Sequence, residues 1–516
     1  MKSNFTFLRI LFVSVLNLLP LIKVSTQTLE IHQMAIGNAD SGMIIIRDTT
    51  RVMNAIRIGF LREKFTGDHL KEFEKQLTDK NFFSLPSAGS TAILEDIVKK
   101  IDPAKWDELN TYLNTTFDTD QKKVNMTQVL IDLAKTKSDK YIVKGTIKQL
   151  TIIDLGRKGT EDSHDAKTVY AYMVKQGFTG QVDNFILSHY HEDHCGGLQT
   201  FSGLAGVSFT NFYDSGSDKV AFTKADAEND HKMLVGDETY TKFYREVIQT
   251  SLGLPNLDEV DDLREANKKS PGDEINLENG AKLICVASNS AVYNDAGTFR
   301  GGTNPNDYSL AFVLYYKGFR FFTGGDISGI SDKECNPYKD VETSLATGLA
   351  AVPELRRRVG GTADDGHICG LKVSHHGSRC SSNDVFLNRI TSKVSIIPNG
   401  WDIYHYNPRK ETFARLNSSA SIEKIYCLGL MKDNVRPRKK AYKPWPAAGN
   451  LINTGKVIIS GNTAVIVDDK NTDLTKSTFI VKWDGNLRGE SDGKLDRLYP
   501  ATSLPDPPFH SYICNH

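Results

Sequence analysis

A chain of 516 residues, 39% hydrophobic and 24% charged, carries enough apolar material for a real core, as two or three domains or one large layered domain with insertions. Its 63 Lys and Arg equal its 63 Asp and Glu, so no global field recruits nucleic acid or an anionic membrane. Any such preference has to come from a local patch. The conspicuous basic run, Arg436 to Trp445, reads first as a solvated loop and second as a phosphate-binding strip.

In chain order, the first segment carries Lys2 and Arg9, then an apolar run from Ile10 to Ile22 broken by Asn17 and Pro20. That run is short for a membrane span and suits a signal-peptide core. Residues 1–27 are therefore expected to be a signal peptide, cleaved between Ser25 and Thr28, with a retained anchor as the lesser reading. No later stretch has the apolar length of a span, so a secreted or periplasmic protein without a transmembrane domain is expected.

Leu29 to Asp48 reads as two short strands joined by a Gly-Asn-Ala-Asp turn. Residues of about 50–145 mix charged and apolar positions at helical spacing, as in a helical insertion. A strand is expected over Lys148 to Gly156, a helix over Ala166 to Gly177, and an apolar strand over Val182 to Ser188. Asn211 to Asn276 reads as polar and irregular, with one helix over Thr239 to Gly253. Strands follow at Ala281 to Ser288, at Tyr308 to Asp326 with a turn at Lys317-Gly318, at Gly370 to Ser378 and at Lys393 to Gly400. A helix over Pro408 to Leu416 ends a main domain of residues 28–415. The extension 416–516 contains strand-like stretches and either continues the same domain or forms a small β-rich appendage over the cleft. This mixture of hairpins and crossovers favours a layered α/β sandwich over a doubly wound sheet. Seven cysteines, none in a C-x-x-C pair, define no disulfide framework and argue against cysteine-ligated zinc.

The chemistry is concentrated in Ser188 to Gly197, where His189, His191, Asp193 and His194 precede paired glycines. Imidazole nitrogen and carboxylate oxygen are natural ligands of zinc and similar ions. In a loop, alternate residues face one side, so His189 and His191 suit one ion while Asp193 and His194 turn to a second. Gly196 and Gly197 are expected to let the backbone turn tightly beneath them. Three of only 13 histidines within six residues leaves a chance surface turn as a poor alternative.

The H-x-H-x-D-H run resembles the signature of the metallo-β-lactamase fold superfamily, and further stretches fall in matching order. Asp154 resembles the acid that supports the histidine loop, Asp326 the acid that bridges two metals, and His375-His376 the last histidine ligand. The stretches "LEIHQMAIGNADSGMIII", "FYDSGS", "GDEINLENGAKLICVAS", "NDYSLAFVLYYKGFRFFTGGD" and "LKVSHHGS" are similar to the periplasmic or extracellular hydrolase domain of ComEC-type competence proteins and of related stand-alone exported hydrolases. The resemblance implies an αββα sandwich holding two divalent ions, zinc by ligand type, with manganese acceptable to an oxygen-rich first site. His376 is the preferred ligand. His375 then contacts substrate or, equally, packs beneath the site, because successive strand residues point to opposite faces. Ser378 reads first as a turn residue after Gly377 and second as a group that holds an anionic oxygen.

Two departures bear on the first metal site. Between His194 and Asp326 the chain has only His231, while Asn304, Asn306 and Asp307 lie nearer the expected position. Asn407 stands where a histidine is common, with His405 two residues upstream. The implied activity is a phosphoesterase or phosphodiesterase using a metal-bound hydroxide, with Asp193 orienting the nucleophile and passing a proton to the leaving group. A hydrolase of small esters, lactones or phosphocholine groups is the alternative, toward which the zero net charge leans. A metal-stabilised binding protein without turnover is the third reading.

Overall fold

The computed structural model describes residues 27–36, 39–48, 58, 60–80, 82, 87–116, 146–158, 165–216, 237–289, 291–294, 304–336, 338–355, 367–399, 407–429, 456–467, 476–484 and 509–515. The expected signal segment up to residue 26, residues 117–145 of the expected helical insertion, the basic run Arg436 to Trp445, His231 and His405 lie outside them. No helix of the described residues is long and apolar enough to cross a membrane.

The chain is a mixed α/β protein, and among the described residues its strands form two sheets. The first runs β17 (Phe509–Asn515), β16 (Lys476–Trp483), β15 (Thr463–Val467), β1 (Gln27–Gln33), β2 (Gly42–Asp48), β3 (Ile147–Ile153), β4 (Gln181–Ile186), β5 (Ser208–Tyr213). The second runs β14 (Val457–Ile459), β13 (Lys424–Cys427), β12 (Val394–Ile397), β11 (Gly370–Lys372), β10 (Phe319–Thr323), β9 (Ala311–Tyr316), β7 (Lys282–Ser288), β6 (Glu274–Asn276), with β8 (Ala291–Val292) paired to β7. Residues beyond 416 thus contribute strands to both sheets. The disulfide Cys369–Cys514 joins β17 to the residue before β11, across the two sheets.

Strand alternation sorts the apolar side chains between cores. In β2, Ile44 and Ile46 enter a cluster drawn from both sheets, and Met43 and Ile45 enter a separate one. In β9, Phe312, Leu314 and Tyr316 join the shared cluster, while Ala311 and Val313 face another. That other cluster on the second sheet is completed by α9 (Val341–Leu349), α10 (Asp384–Ile390) and α11 (Lys410–Ser418). The separate cluster on the first sheet takes residues from α4 (Asp165–Lys175), α5 (Glu192–Cys195), α6 (Leu198–Ser202), α7 (Asp237–Leu252) and α8 (Leu257–Asn267). Helices α1 (Gly67–Asp79), α2 (Ser87–Ile101) and α3 (Pro103–Thr116) pack around a core of their own that includes Phe73, Leu77, Val98, Trp106 and Leu109.

The expected turn at Lys317-Gly318 joins β9 to β10, with both residues at positive φ (48° and 88°), as a two-residue hairpin requires. The stretch Asn211 to Asn276, expected to be irregular apart from one helix over Thr239 to Gly253, holds among its described residues the end of β5, that helix as α7, a second helix α8, and β6. Helix α8 escaped notice because its sequence, LDEVDDLREAN, fully buries only Val260 and Arg264. The Arg264 guanidinium donates to Asp214 and to the Tyr190 hydroxyl, which lets a charged helix lie against the sheet.

Candidate metal centre

The catalytic candidates gather at one end of the two sheets because strand direction puts them there. Asp154 follows β3 and the histidine loop follows β4, a parallel pair; Asp326 follows β10 and His376 follows β11, another parallel pair. Strand β2 runs antiparallel to β3, so its start, and the turn holding Asp40, lies beside the end of β3. Ligand-binding residues collect in this way at the carboxyl ends of parallel strands.

Asp154, in the left-handed region at φ 60°, accepts hydrogen bonds from the Ser188 N–H (2.8 Å) and hydroxyl (2.7 Å), and from His194 Nδ1 (2.8 Å). His376 Nδ1 donates to the Pro398 carbonyl at 2.9 Å. Each ring thereby keeps a proton on Nδ1 and leaves Nε2 as the nitrogen that a cation could take, the arrangement that prepares imidazole for a metal. Both Nε2 atoms are buried without a hydrogen-bond partner, and so are Asp40 Oδ1 and Asp326 Oδ1. One ligand atom from each of Asp40, His194, Asp326 and His376 lies within 4.8 Å of the others. Buried polar atoms are seldom left unpaired, and four from separate segments, all nitrogen or oxygen donors, fit a zinc-like cation.

The remaining motif residues surround this cluster. His194 Nε2 lies 3.3 Å from Asp326 Oδ1, and His376 Nε2 lies 3.6 Å from Asp326 Oδ2. Asp193 places Oδ2 3.3 Å from His376 Nε2 and Oδ1 4.0 Å from His194 Nε2; its side chain is 18% exposed, so this is the open side. His189 Nε2 and His191 Nδ1 are 2.9 Å apart, and the His189 ring centre is 4.1 Å from that of His194. Of the expected ligands, His194, Asp326 and His376 fall in the cluster with Asp40; Asp193 and His375 border it, and His189 and His191 pair with each other beside His194. Asn306 reaches His375 through Nδ2 at 3.3 Å, whereas Asp307 accepts the Lys339 N–H and Asn304 caps its own turn.

The electrostatics follow from burial among opposite charges. Burial and the neighbouring rings of His194 and His191 hold His189 well below the ordinary histidine range, which keeps it neutral. Burial also opposes charge on His194, but Asp326 and Asp154 outweigh it and hold that ring well above its usual value. Against the same opposition, Asp326 and Asp193 raise His376 to about 9. Burial pushes Asp326 and Asp193 upward, yet the facing imidazoles hold both far below the usual carboxylate range. A cation entering the cluster would take the place of protons on these rings.

Two expectations are corrected here. The strand expected to run through Ser378 ends at Lys372; Ser374–Gly377 is a tight turn with His375 and His376 both left-handed (φ 52° and 51°). Strand alternation therefore does not separate the two rings, and both Nε2 atoms approach Asp326 Oδ2, at 3.8 and 3.6 Å. The paired glycines also serve a different purpose. Gly196 and Gly197 have helical φ of −61° and −74°, which any residue adopts. A Cβ on Gly196 would lie 2.5 Å from the Glu192 carbonyl and 2.5 Å from the Lys158 N, and one on Gly197 would strike the Leu155 carbonyl. Close approach of the motif to residues 155–158 is what demands glycine.

Asp40 and Lys372 were not singled out as site residues. Asp40 read as a turn residue, and only the pairing of β1, β2 and β3 carries it to the cluster. Lys372 is buried, and its ammonium pairs with Asp40 Oδ2 and donates to the Gly325 carbonyl at 3.2 Å. Burial opposes that charge, but Asp40, Asp326 and Asp154 hold Lys372 above its ordinary value. The Cys335–Cys380 disulfide, also unforeseen, ties the segment after Asp326 to the one after His376. Cys195, Cys285 and Cys427 are buried free thiols.

No family model matches the chain, and no curated protein matches it. Among solved structures, it is similar to MEM-A1, a subclass B3 metallo-β-lactamase from a soil metagenome library, at 16% identity and TM-score 0.24, covering 45% of this chain and 71% of that one. It is similar to the hydrolase AbOPH of the β-lactamase superfamily at 21% identity and TM-score 0.23, covering 45% and 76%. It is also similar to the metallo-β-lactamase SMB-1 at 15% identity and TM-score 0.21, covering 40% of this chain and 65% of that one. At such scores these likenesses stand beside the site, and the site's own geometry carries the functional reading.

Proposed function

We propose that the chain is an exported, metal-dependent hydrolase built as an αββα sandwich of the metallo-β-lactamase type, and that it cleaves phosphate esters, phosphodiesters first. The observation that carries this is the buried cluster of Asp40, His194, Asp326 and His376, each of which also holds a side-chain nitrogen or oxygen without a hydrogen-bond partner, with Asp193 on its more exposed side. His189 and His191 would hold a second ion beside them. Within the class, the run from "FYDSGS" to "LKVSHHGS" favours the ComEC-like branch. Two disulfides suit an oxidising compartment.

Bound divalent ions, zinc or manganese, supply the Lewis acidity that activates water and offsets charge on the phosphoryl oxygens. The protein's own part is positioning. Asp154 fixes the tautomer of His194, and the Pro398 carbonyl fixes that of His376. Asp193, held ionised between His376 and Arg157, accepts the proton of the attacking water at a carboxylate oxygen and returns it to the leaving group. His375, half-buried beside Asn306 and the Tyr338 ring, faces the substrate side of Asp326.

The test joins elemental analysis of purified protein to a substrate panel: bis(p-nitrophenyl) phosphate, p-nitrophenyl phosphocholine, p-nitrophenyl acetate and a lactone. Metal-loaded protein is expected to cleave the phosphodiester, and Asp326→Ala to lower that rate by about a hundredfold or more. Metal-loaded protein that turns over no ester on the panel would overturn the reading in favour of a binding protein.

A further inference from the structure

We propose that Asp40 is a metal ligand contributed from outside the histidine motif, one carboxylate oxygen facing the cluster and the other fixed by the Lys372 ammonium. The inference rests on the metal-site reading above and deepens it. Three independent features place Asp40 in this role. Its backbone is clamped between two segments of the site, its N–H donating to the Asp193 carbonyl (3.0 Å) and its own carbonyl accepting from the Gly156 N–H (2.9 Å). Its side chain is 2% exposed, yet Oδ1 has no hydrogen-bond partner, and the residue groups with His194, Asp326 and His376, with Oδ1 4.0 Å from His376 Nδ1 and Oδ2 3.8 Å from His194 Nδ1. Its Oδ2 is taken by Lys372, so a single oxygen remains to meet a cation.

Lys372 is the positioning residue. It sits on β11, four residues before His376, and its second bond goes to the carbonyl of Gly325, the residue before Asp326. One buried ammonium therefore ties the Asp40 turn to the Asp326 turn, from the strand that leads into the His376 turn. A buried carboxylate oxygen without a partner forfeits its hydration with nothing in return. A purely structural ion pair would be expected to satisfy both of its oxygens; here Oδ1 has no partner.

The test measures cobalt affinity and the visible cobalt spectrum of the full chain, after stripping, by chelator competition. Four proteins are compared: wild type, Asp40→Asn, Lys372→Met and the double variant Asp40→Asn/Lys372→Met. If Asp40 is a ligand, Asp40→Asn weakens cobalt binding by roughly ten- to a hundredfold and alters the spectrum. Lys372→Met leaves Oδ2 free and also alters the spectrum. The double variant removes the ion pair together, which restores urea stability toward wild type but leaves cobalt binding as weak as in Asp40→Asn. Restoration of both stability and cobalt binding in the double variant would overturn the proposal and make the pair structural. So would an unchanged affinity and spectrum in Asp40→Asn. If wild type itself binds no cobalt, the metal-site reading fails instead, and the two failures are thereby distinguished.

Discussion

Replacing Gly196 by alanine is the sharpest way to ask whether the histidine motif is set by close packing against residues 155–158. The backbone there is already helical, so the substitution brings no conformational strain, and all of its effect must be steric. Ordinary contact begins near 3.4 Å, and the new Cβ would lie 2.5 Å from both the Glu192 carbonyl oxygen and the Lys158 nitrogen. About 0.9 Å of separation has to be found between two backbone segments. Those segments are joined by hydrogen bonds from the Leu155 N–H to the His194 carbonyl (2.7 Å) and from the Gly197 N–H to the Gly156 carbonyl (2.9 Å). Weakening both costs about 1 kcal/mol each, and overpacking a close-packed site costs about 1–3 kcal/mol more. The expected loss is therefore about 3–5 kcal/mol. The same movement carries His194 away from Asp326, so metal affinity falls too. Urea unfolding measures the first and chelator competition the second. Gly203→Ala is the control: its φ is an ordinary −81°, and its Cβ would meet only the Gln199 and Thr200 carbonyls at 3.6 Å. Should Gly196→Ala prove as stable and bind metal as tightly as Gly203→Ala, the close-approach argument is wrong.

Asp154→Asn should leave the chain folded while weakening cobalt binding roughly ten- to a hundredfold, because an amide cannot accept from Ser188 N–H, Ser188 hydroxyl and His194 Nδ1 together; equal affinity in chelator competition would remove Asp154 from its supporting role. Glu342, buried and accepting the N–H groups of Ser382 and Asn383, has its carboxyl raised from 4.5 to about 8 by burial, which outweighs those two bonds. A folded value above the unfolded one gives a contribution fully present below about 4.5 and lost as pH rises through about 8, up to about 5 kcal/mol at 1.4 kcal/mol per pH unit. The urea midpoint of the wild type should therefore fall between pH 5 and 9, and Glu342→Gln should flatten that fall; parallel profiles would contradict it.

Much of the site was legible because its chemistry is local. His189, His191, Asp193 and His194 lie within six residues, Asp326 follows a strand whose apolar run is plain in the sequence, and His376 follows the short strand Gly370–Lys372. Asp40 was not legible for the opposite reason: its place depends on β1, β2 and β3 pairing in one order, and nothing within a turn encodes which sheet end it will occupy. Lys372 hid behind a sound rule, since lysine is almost never fully buried unless paired, and its partner lies 332 residues away. The left-handed turn at His375 and His376 contradicts strand propensity locally, and it is the site that imposes it. The helices of residues 237–267 were half seen, because α8 buries an arginine where an apolar stripe would have announced it.

The residues that escaped the sequence are the ones that constrain the cluster, and the energetics explain why. Left-handed Asp154, His375 and His376 each cost about 1–3 kcal/mol, and each buried unpaired ligand atom costs a similar amount. Such a constellation persists only where its surroundings over-determine it. Here they do so through backbone bonds from Asp40 to Asp193 and Gly156, from Leu155 to His194, and from His375 N–H to Gly325, with Lys372 spanning two of the segments. These groups are backbone, or side chains whose partner is distant in sequence, so they leave no motif. A motif records which atoms could meet a cation. The two sheets, their strand order and the close approach at Gly196 decide that those atoms meet at one point.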